Sequence, residues 1–164
     1  MYRLKNPVTV HLFIAFTLIF GLLLAIFPIS TEYAYLRPEF VCVILVYWCI
    51  NIPQHPGIFY AWCVGLLQDI VEGGVWGGHA MALAVIAYIC MVSHQRMKSY
   101  SLWRQTFWLF VLVGMHQAVI NWMQGLLGYR TAPMLTLASS ATSALMWPVM
   151  YVVLGRIRKM YHVH

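Results

Sequence analysis

The stretch Val8–Thr31, VTVHLFIAFTLIFGLLLAIFPIST, contains no aspartate, glutamate, lysine or arginine. An α-helix of about 20 apolar residues crosses the hydrocarbon core of a bilayer, so this run is long enough to span. Two further charge-free stretches, Gln105–Tyr129 and Thr131–Gly155, repeat the pattern. Working outward from them, the charges collect at the ends of apolar runs. The 164-residue chain is 62% hydrophobic and 9% charged, and its mean hydropathy is +0.76. Soluble domains carry about 25% charged residues. The expected fold is an all-α polytopic membrane protein, with residues 1–164 forming one integral membrane domain. The longest polar stretch is HQRMKSYSLWR, His94–Arg104, which leaves no room for a soluble catalytic module.

Six transmembrane helices fit, at about 10–28, 38–52, 58–71, 77–93, 105–127 and 133–155. Pro38 suits a first helical turn, where no backbone donor is needed. The turn NIPQHPG after span two stops a helix with two prolines and a glycine. Charge supports an even number of crossings: Arg3, Lys5, Arg96, Lys98, Arg104, Arg156, Arg158 and Lys159 then share one side, with only Arg37 and Arg130 opposite. Cationic loops face the cytoplasm, so both termini are expected there. The net charge of +6 follows from this bias, and no nucleic-acid partner is expected. Arg3 and Lys5 before an apolar run resemble a signal peptide, but the run is too long and no A-x-A site follows. An uncleaved first helix is expected.

The most unusual segment is GLLQDIVEGGVWGG, Gly65–Gly78. Ala61, Gly65, Asp69, Gly73 and Gly77 recur four apart, a stripe on which a second helix can approach closely. The glycines near its end also read as an outer-side turn. A carboxylate at the centre of a membrane helix costs on the order of 3 kcal/mol. Asp69 is therefore expected to face the bundle interior and pair with Arg37 or Arg130, with His79 on the same side. Glu32, Glu39 and Glu72 read as loop or interface residues. In span six, ASSATSA (Ala138–Ala144) puts Ser139, Ser140 and Ser143 among small residues, which suits packing within the bundle or contact with a partner helix. Trp147–Pro148 reads as a kink.

His11, His79 and His116 fall in separate spans without an i, i+4 pair, and Cys42, Cys49, Cys63 and Cys90 form no C-x-x-C motif. Neither set reads as a metal site. Without a G-x-S-x-G, a Walker motif or paired carboxylates at hydrolase spacing, no catalytic residue, cofactor or metal is expected. The His94–Arg104 loop is expected to adsorb to anionic lipids or to touch a cytoplasmic partner.

The order Arg37–Pro38, VILVYW ending at Trp48, Pro53, Gly65-Leu66-Leu67-Gln68-Asp69, Gly73, Gly77, Tyr88 and Trp147–Pro148 resembles the bacterial rod shape-determining MreD family over nearly the whole chain. Departures fall at His55, where relatives often carry arginine, and at Ala61 and His79, read as standing for a glycine and an arginine. The resemblance implies a non-enzymatic scaffold subunit of the cell-elongation (Rod) complex, with a part in side-wall peptidoglycan synthesis. Its implied partners are MreC, the MreB filament, and a RodA-type glycosyltransferase with its penicillin-binding transpeptidase. It also implies a six-helix fold similar to the substrate-binding subunits of energy-coupling-factor transporters. The alternative is accordingly the substrate-binding membrane subunit of a small-molecule, vitamin-type transporter. That role needs converging polar groups around an outward pocket, for which the sequence offers Asp69, His79 and Arg37.

Overall fold

A computed structural model describes residues 7–27, 36–53, 56–73, 76–128 and 133–160. Arg3, Lys5, Glu32, His55 and Arg130 lie outside the described residues. Six helices follow one another: α1 Pro7–Ile26, α2 Phe40–Asn51, α3 Ile58–Glu72, α4 Gly78–Ser99, α5 Leu102–Leu126 and α6 Pro133–Met160. Four of them contain stretches long and apolar enough to cross a membrane, namely Val8–Ile26, Gly78–Ser99, Leu102–Leu126 and Leu137–Met160.

Helix α2 is the centre of the bundle. Its sequence, FVCVILVYWCIN, is rich in residues that favour strands elsewhere. Away from water, however, every backbone N–H must find a local acceptor, and a helix provides one. Every residue from Val41 to Ile50 is buried, as expected of a helix that is apolar all round. It packs against α1, α4, α5 and α6. Its 12 residues rise about 18 Å, well short of a bilayer core of about 30 Å. The 15 residues of α3 rise about 22 Å. Both helices are therefore shorter than a full crossing.

A chain of aromatic rings ties α2 to its neighbours. Phe13 of α1 meets Trp48 edge-on at 5.8 Å between centroids, and Trp48 meets Tyr47 at 5.3 Å. Tyr47 reaches Tyr151 of α6 at 5.6 Å, which in turn lies 5.7 Å from Trp147. Trp48 Nε1 donates to Thr17 Oγ1 at 3.0 Å, satisfying the indole where no water reaches. Cys42, Cys49 and Cys90 are buried free thiols, and Cys63 is half-buried.

Helix α2 starts at Phe40 with Glu39 as its N-cap, so Pro38 stands before the helix and not in its first turn as expected, whereas two basic helix ends run past the expected boundaries. Helix α4 runs on to Ser99 with Arg96 and Lys98 in its last turn, so the expected loop His94–Arg104 is mostly helical and only Tyr100 and Ser101 join α4 to α5. Helix α6 likewise continues through Pro148 and past Gly155 to Met160, with Arg158 and Lys159 in its last turn. Cations favour a helix C-terminus, and their long stems keep covering apolar surface after the charge has reached water. A hydropathy boundary therefore stops short of the helix.

Candidate functional site

The interior polar groups gather at one end of the bundle, and Asp69 is their anchor. The residue is 1% exposed, on the last turns of α3. Helix α4 starts after Gly77, an N-cap with a left-handed φ of 92° and no side chain to cap its own helix. Asp69 supplies the missing acceptors from across the turn. Its Oδ2 accepts from the Gly77 N–H at 2.9 Å and the Ala80 N–H at 3.3 Å, and its Oδ1 accepts from the His79 N–H at 3.0 Å. An N-cap side chain normally serves the second and third helical N–H groups; here the preceding helix provides the carboxylate, placed against the positive end of the α4 dipole.

His79 closes the arrangement. Its Nδ1 lies 2.9 Å from Asp69 Oδ1 and its Nε2 lies 3.4 Å from Glu72 Oε2. Gln68 Nε2 donates to Glu72 Oε1 at 2.9 Å. The expected pairing of Asp69 with Arg37 is not what the structure holds. The Arg37 guanidinium turns instead to the C-terminal end of α1, donating through Nη2 to the Leu24 and Phe27 carbonyls at 3.4 Å each. The physical reason is symmetrical. The carboxylate goes to a helix N-terminus and the guanidinium to orphan carbonyls at a helix C-terminus. Arg130, the other expected partner, lies outside the described residues.

Gly65 allows this end to close. A Cβ there would lie 2.6 Å from the Ala80 nitrogen and 2.7 Å from the His79 carbonyl carbon. Backbone approaches backbone, as small residues in lipid-embedded helices permit. Gly73 and Gly77 do not share that role, in contrast to the four-residue stripe. Gly73 ends α3 with φ 64°, Gly77 precedes α4, and a Cβ at either would meet nothing within 4 Å. They are needed for their left-handed backbone.

The serines of α6 hold the start of α2. Ser139 Oγ donates to the Arg37 carbonyl at 2.8 Å, and Ser143 Oγ accepts the Glu39 N–H at 2.9 Å. Gln117 Nε2 of α5 donates to Glu39 Oε1 at 2.6 Å and sits 3.5 Å from Ser139 Oγ. Ser139, Ser140, Ser143 and Ala144 are buried, whereas Leu137, Ala141 and Leu145 are exposed. The serine face therefore looks into the bundle.

Three interior residues escaped the sequence reading. Glu39, taken for a loop or interface residue, is hydrogen-bonded within the bundle. His116 is fully buried, 5.8 Å from the His79 ring, and neither of its ring nitrogens has a hydrogen-bond partner among the described residues. Gln117 follows it directly in sequence. The signal for His116 and Gln117 was a polar pair within an apolar run, and Glu39 stood beside Arg37 and Pro38 at the edge of one. Their convergence depends on helix packing, which spacing along one chain does not contain. No metal-ligand grouping of His, Cys, Asp and Glu occurs among the described residues.

Apolar helices of spanning length around a core helix, with interior polar groups bonded to helix termini, define a multi-pass membrane protein. The family described as rod shape-determining protein MreD matches residues 6–157, and the chain belongs to it. It is similar to the rod shape-determining protein MreD of Haemophilus influenzae, at 27% identity over 161 residues covering 91% of each chain. No solved structure matches the chain. The family places the chain among proteins that determine rod shape in bacteria.

Proposed function

We propose that the chain is a non-enzymatic scaffold subunit of the cell-elongation (Rod) complex, through which side-wall peptidoglycan synthesis is held to the rod form. Its partners in this reading are MreC, the MreB filament, and a RodA-type glycosyltransferase with its penicillin-binding transpeptidase. One observation carries the reading beyond family membership: several polar side chains at this end of the bundle are engaged with helix ends. Asp69 caps α4, Arg37 bonds the end of α1, and Ser139, Ser143 and Gln117 hold the start of α2. Such groups give a bundle of defined shape whose outer faces remain for partner helices. The transporter-subunit alternative needs a cavity at this polar end.

In this reading the chain crosses the inner membrane six times, with both termini cytoplasmic and with the short α2 and α3 as successive crossings, α2 at the centre of the bundle and α3 packed on α4. Arg158 Nη1 donates to Asn51 Oδ1 at 2.8 Å, so the end of α2 lies beside the basic end of α6. That supports a cytoplasmic position for the following turn. The functional test is depletion in a rod-shaped host. Cells should round up, and MreC should co-purify with the restored chain. Rods that persist without the chain, or restored rods in which MreC never co-purifies, would overturn the scaffold reading.

A further inference from the structure

The corner between α4 and α5 carries a surface that the scaffold reading leaves unused. Trp103, Arg104, Phe107 and Trp108 recur at helical spacing on one face of α5. With Tyr100 they line an open cavity of about 350 Å³. Trp103 is 84% exposed and Phe107 66% exposed, so these rings are not part of the core. The Tyr100 ring stacks on Trp108 with centroids 6.5 Å apart and planes 14° from parallel. The corner itself is held in shape. Gln105, 3% exposed, donates through Nε2 to the Met97 carbonyl at 3.1 Å and the Tyr100 carbonyl at 3.2 Å.

Charge identifies what fits there. Arg104 lines the cavity and has no carboxylate partner among the described residues. Arg96 and Lys98 stand exposed in the adjoining turn. The sequence holds only four acids, Glu32, Glu39, Asp69 and Glu72. Asp69 and Glu72 sit at the opposite end of α4, against its first turn, and Glu39 is held by Gln117 further along α5. The 22 residues of α4 separate its ends by about 33 Å. Among the described residues, therefore, no carboxylate compensates the guanidinium. Phe107 and Trp108 lie one turn further along α5, about 5 Å deeper toward the apolar body of the helix.

We propose that this corner is a binding site for an anionic phospholipid, with the phosphate on Arg104 and the upper acyl chains against Phe107 and Trp108. An anion at the headgroup level and an apolar chain one helical turn deeper are the two halves of such a lipid. Arginine presents its donors in a fork that suits phosphate. The proposal rests on the corner lying at a bilayer surface and not on the identity of any protein partner. Diffuse adsorption would make Arg96, Lys98 and Arg104 interchangeable, whereas a site singles out Arg104 and the rings.

Native mass spectrometry of the delipidated full-length protein, titrated with phosphatidylglycerol or with phosphatidylcholine of the same chains, tests this. One phosphatidylglycerol should bind about tenfold more tightly than phosphatidylcholine. Arg104→Gln should remove most of that preference, Phe107→Ala should weaken both lipids alike, and Lys98→Gln should keep both the preference and the affinity. Equal binding of the two lipids, or equal losses in Arg104→Gln and Lys98→Gln, overturns the site. A Ser101→Cys variant should label with an impermeant maleimide from one face of the membrane above the native-thiol background. Labelling without lipid preference removes the site and leaves the corner at the surface. Absence of labelling from both faces removes both.

Discussion

Asp69 serves three backbone N–H groups and one imidazole, so its replacement strips several bonds at once. Asp69→Leu leaves the first turn of α4 uncapped and His79 without its main partner. The expected loss is about 3 kcal/mol, in the range for breaking a buried charged pair, read as lower abundance in membranes and earlier unfolding in detergent. Asp69→Asn retains one acceptor oxygen and should be milder. The glycines separate two physical effects. Gly65→Ala drives a Cβ into the backbone of Ala80 and His79, an overpacking cost of about 1–3 kcal/mol. Gly73→Ala meets open space but must hold φ 64°, at about 1 kcal/mol. Parallel melting of the two variants checks the order. A Gly73 variant at least as damaging as Gly65→Ala would mean that helix contact is not what Gly65 provides.

Among elements, α2 depends most on its neighbours, because it is too short to be placed by hydropathy and is enclosed on all sides. Its N-terminal end is held by hydroxyls of α6 and the amide of α5. Ser143→Ala removes the acceptor of the Glu39 N–H and should cost about 1 kcal/mol. Ala141→Leu, on the exposed side of the same helix, should leave unfolding unchanged. If Ala141→Leu destabilises as much as Ser143→Ala, α6 packs differently from the arrangement described. Ser140 is 1% exposed, so Ser140→Leu tests internal packing and not contact with a partner helix. Candidate partner contacts on α6 are its outward positions, such as Leu137, Ala141 and Leu145.

Across the whole molecule, the described acids share one end with Arg37, and the other described lysines and arginines lie toward the opposite end. Glu39, Asp69 and Glu72 belong to the polar end, and Arg158 reaches Asn51 at the other. With positive residues held on the cytoplasmic side, reporter fusions at Gly57 and Tyr100 should both report cytoplasm. A periplasmic signal at Gly57 would remove the crossings by α2 and α3 from the proposed topology even if the other crossings hold.

The helical class, the order of the six helices and the spanning length of four of them were legible in the sequence, because each follows from apolar run length and from charges at the run ends. Asp69 was legible as an interior residue for the same reason: lipid penalises an unpaired carboxylate wherever it lies along the span. Its partner was not. Arg37 offered the opposite charge, but helix ends compete for charged groups, and only the packed bundle places Asp69 at the start of α4 and Arg37 at the end of α1. The adjacent His116 and Gln117, and Glu39 at the edge of its run, were likewise polar letters without visible partners until the helices met. Periodicity along one helix determines which face is apolar, whereas contacts between residues 78 positions apart, such as Gln117 and Glu39, arise only when the bundle closes and removes the water that would otherwise serve them.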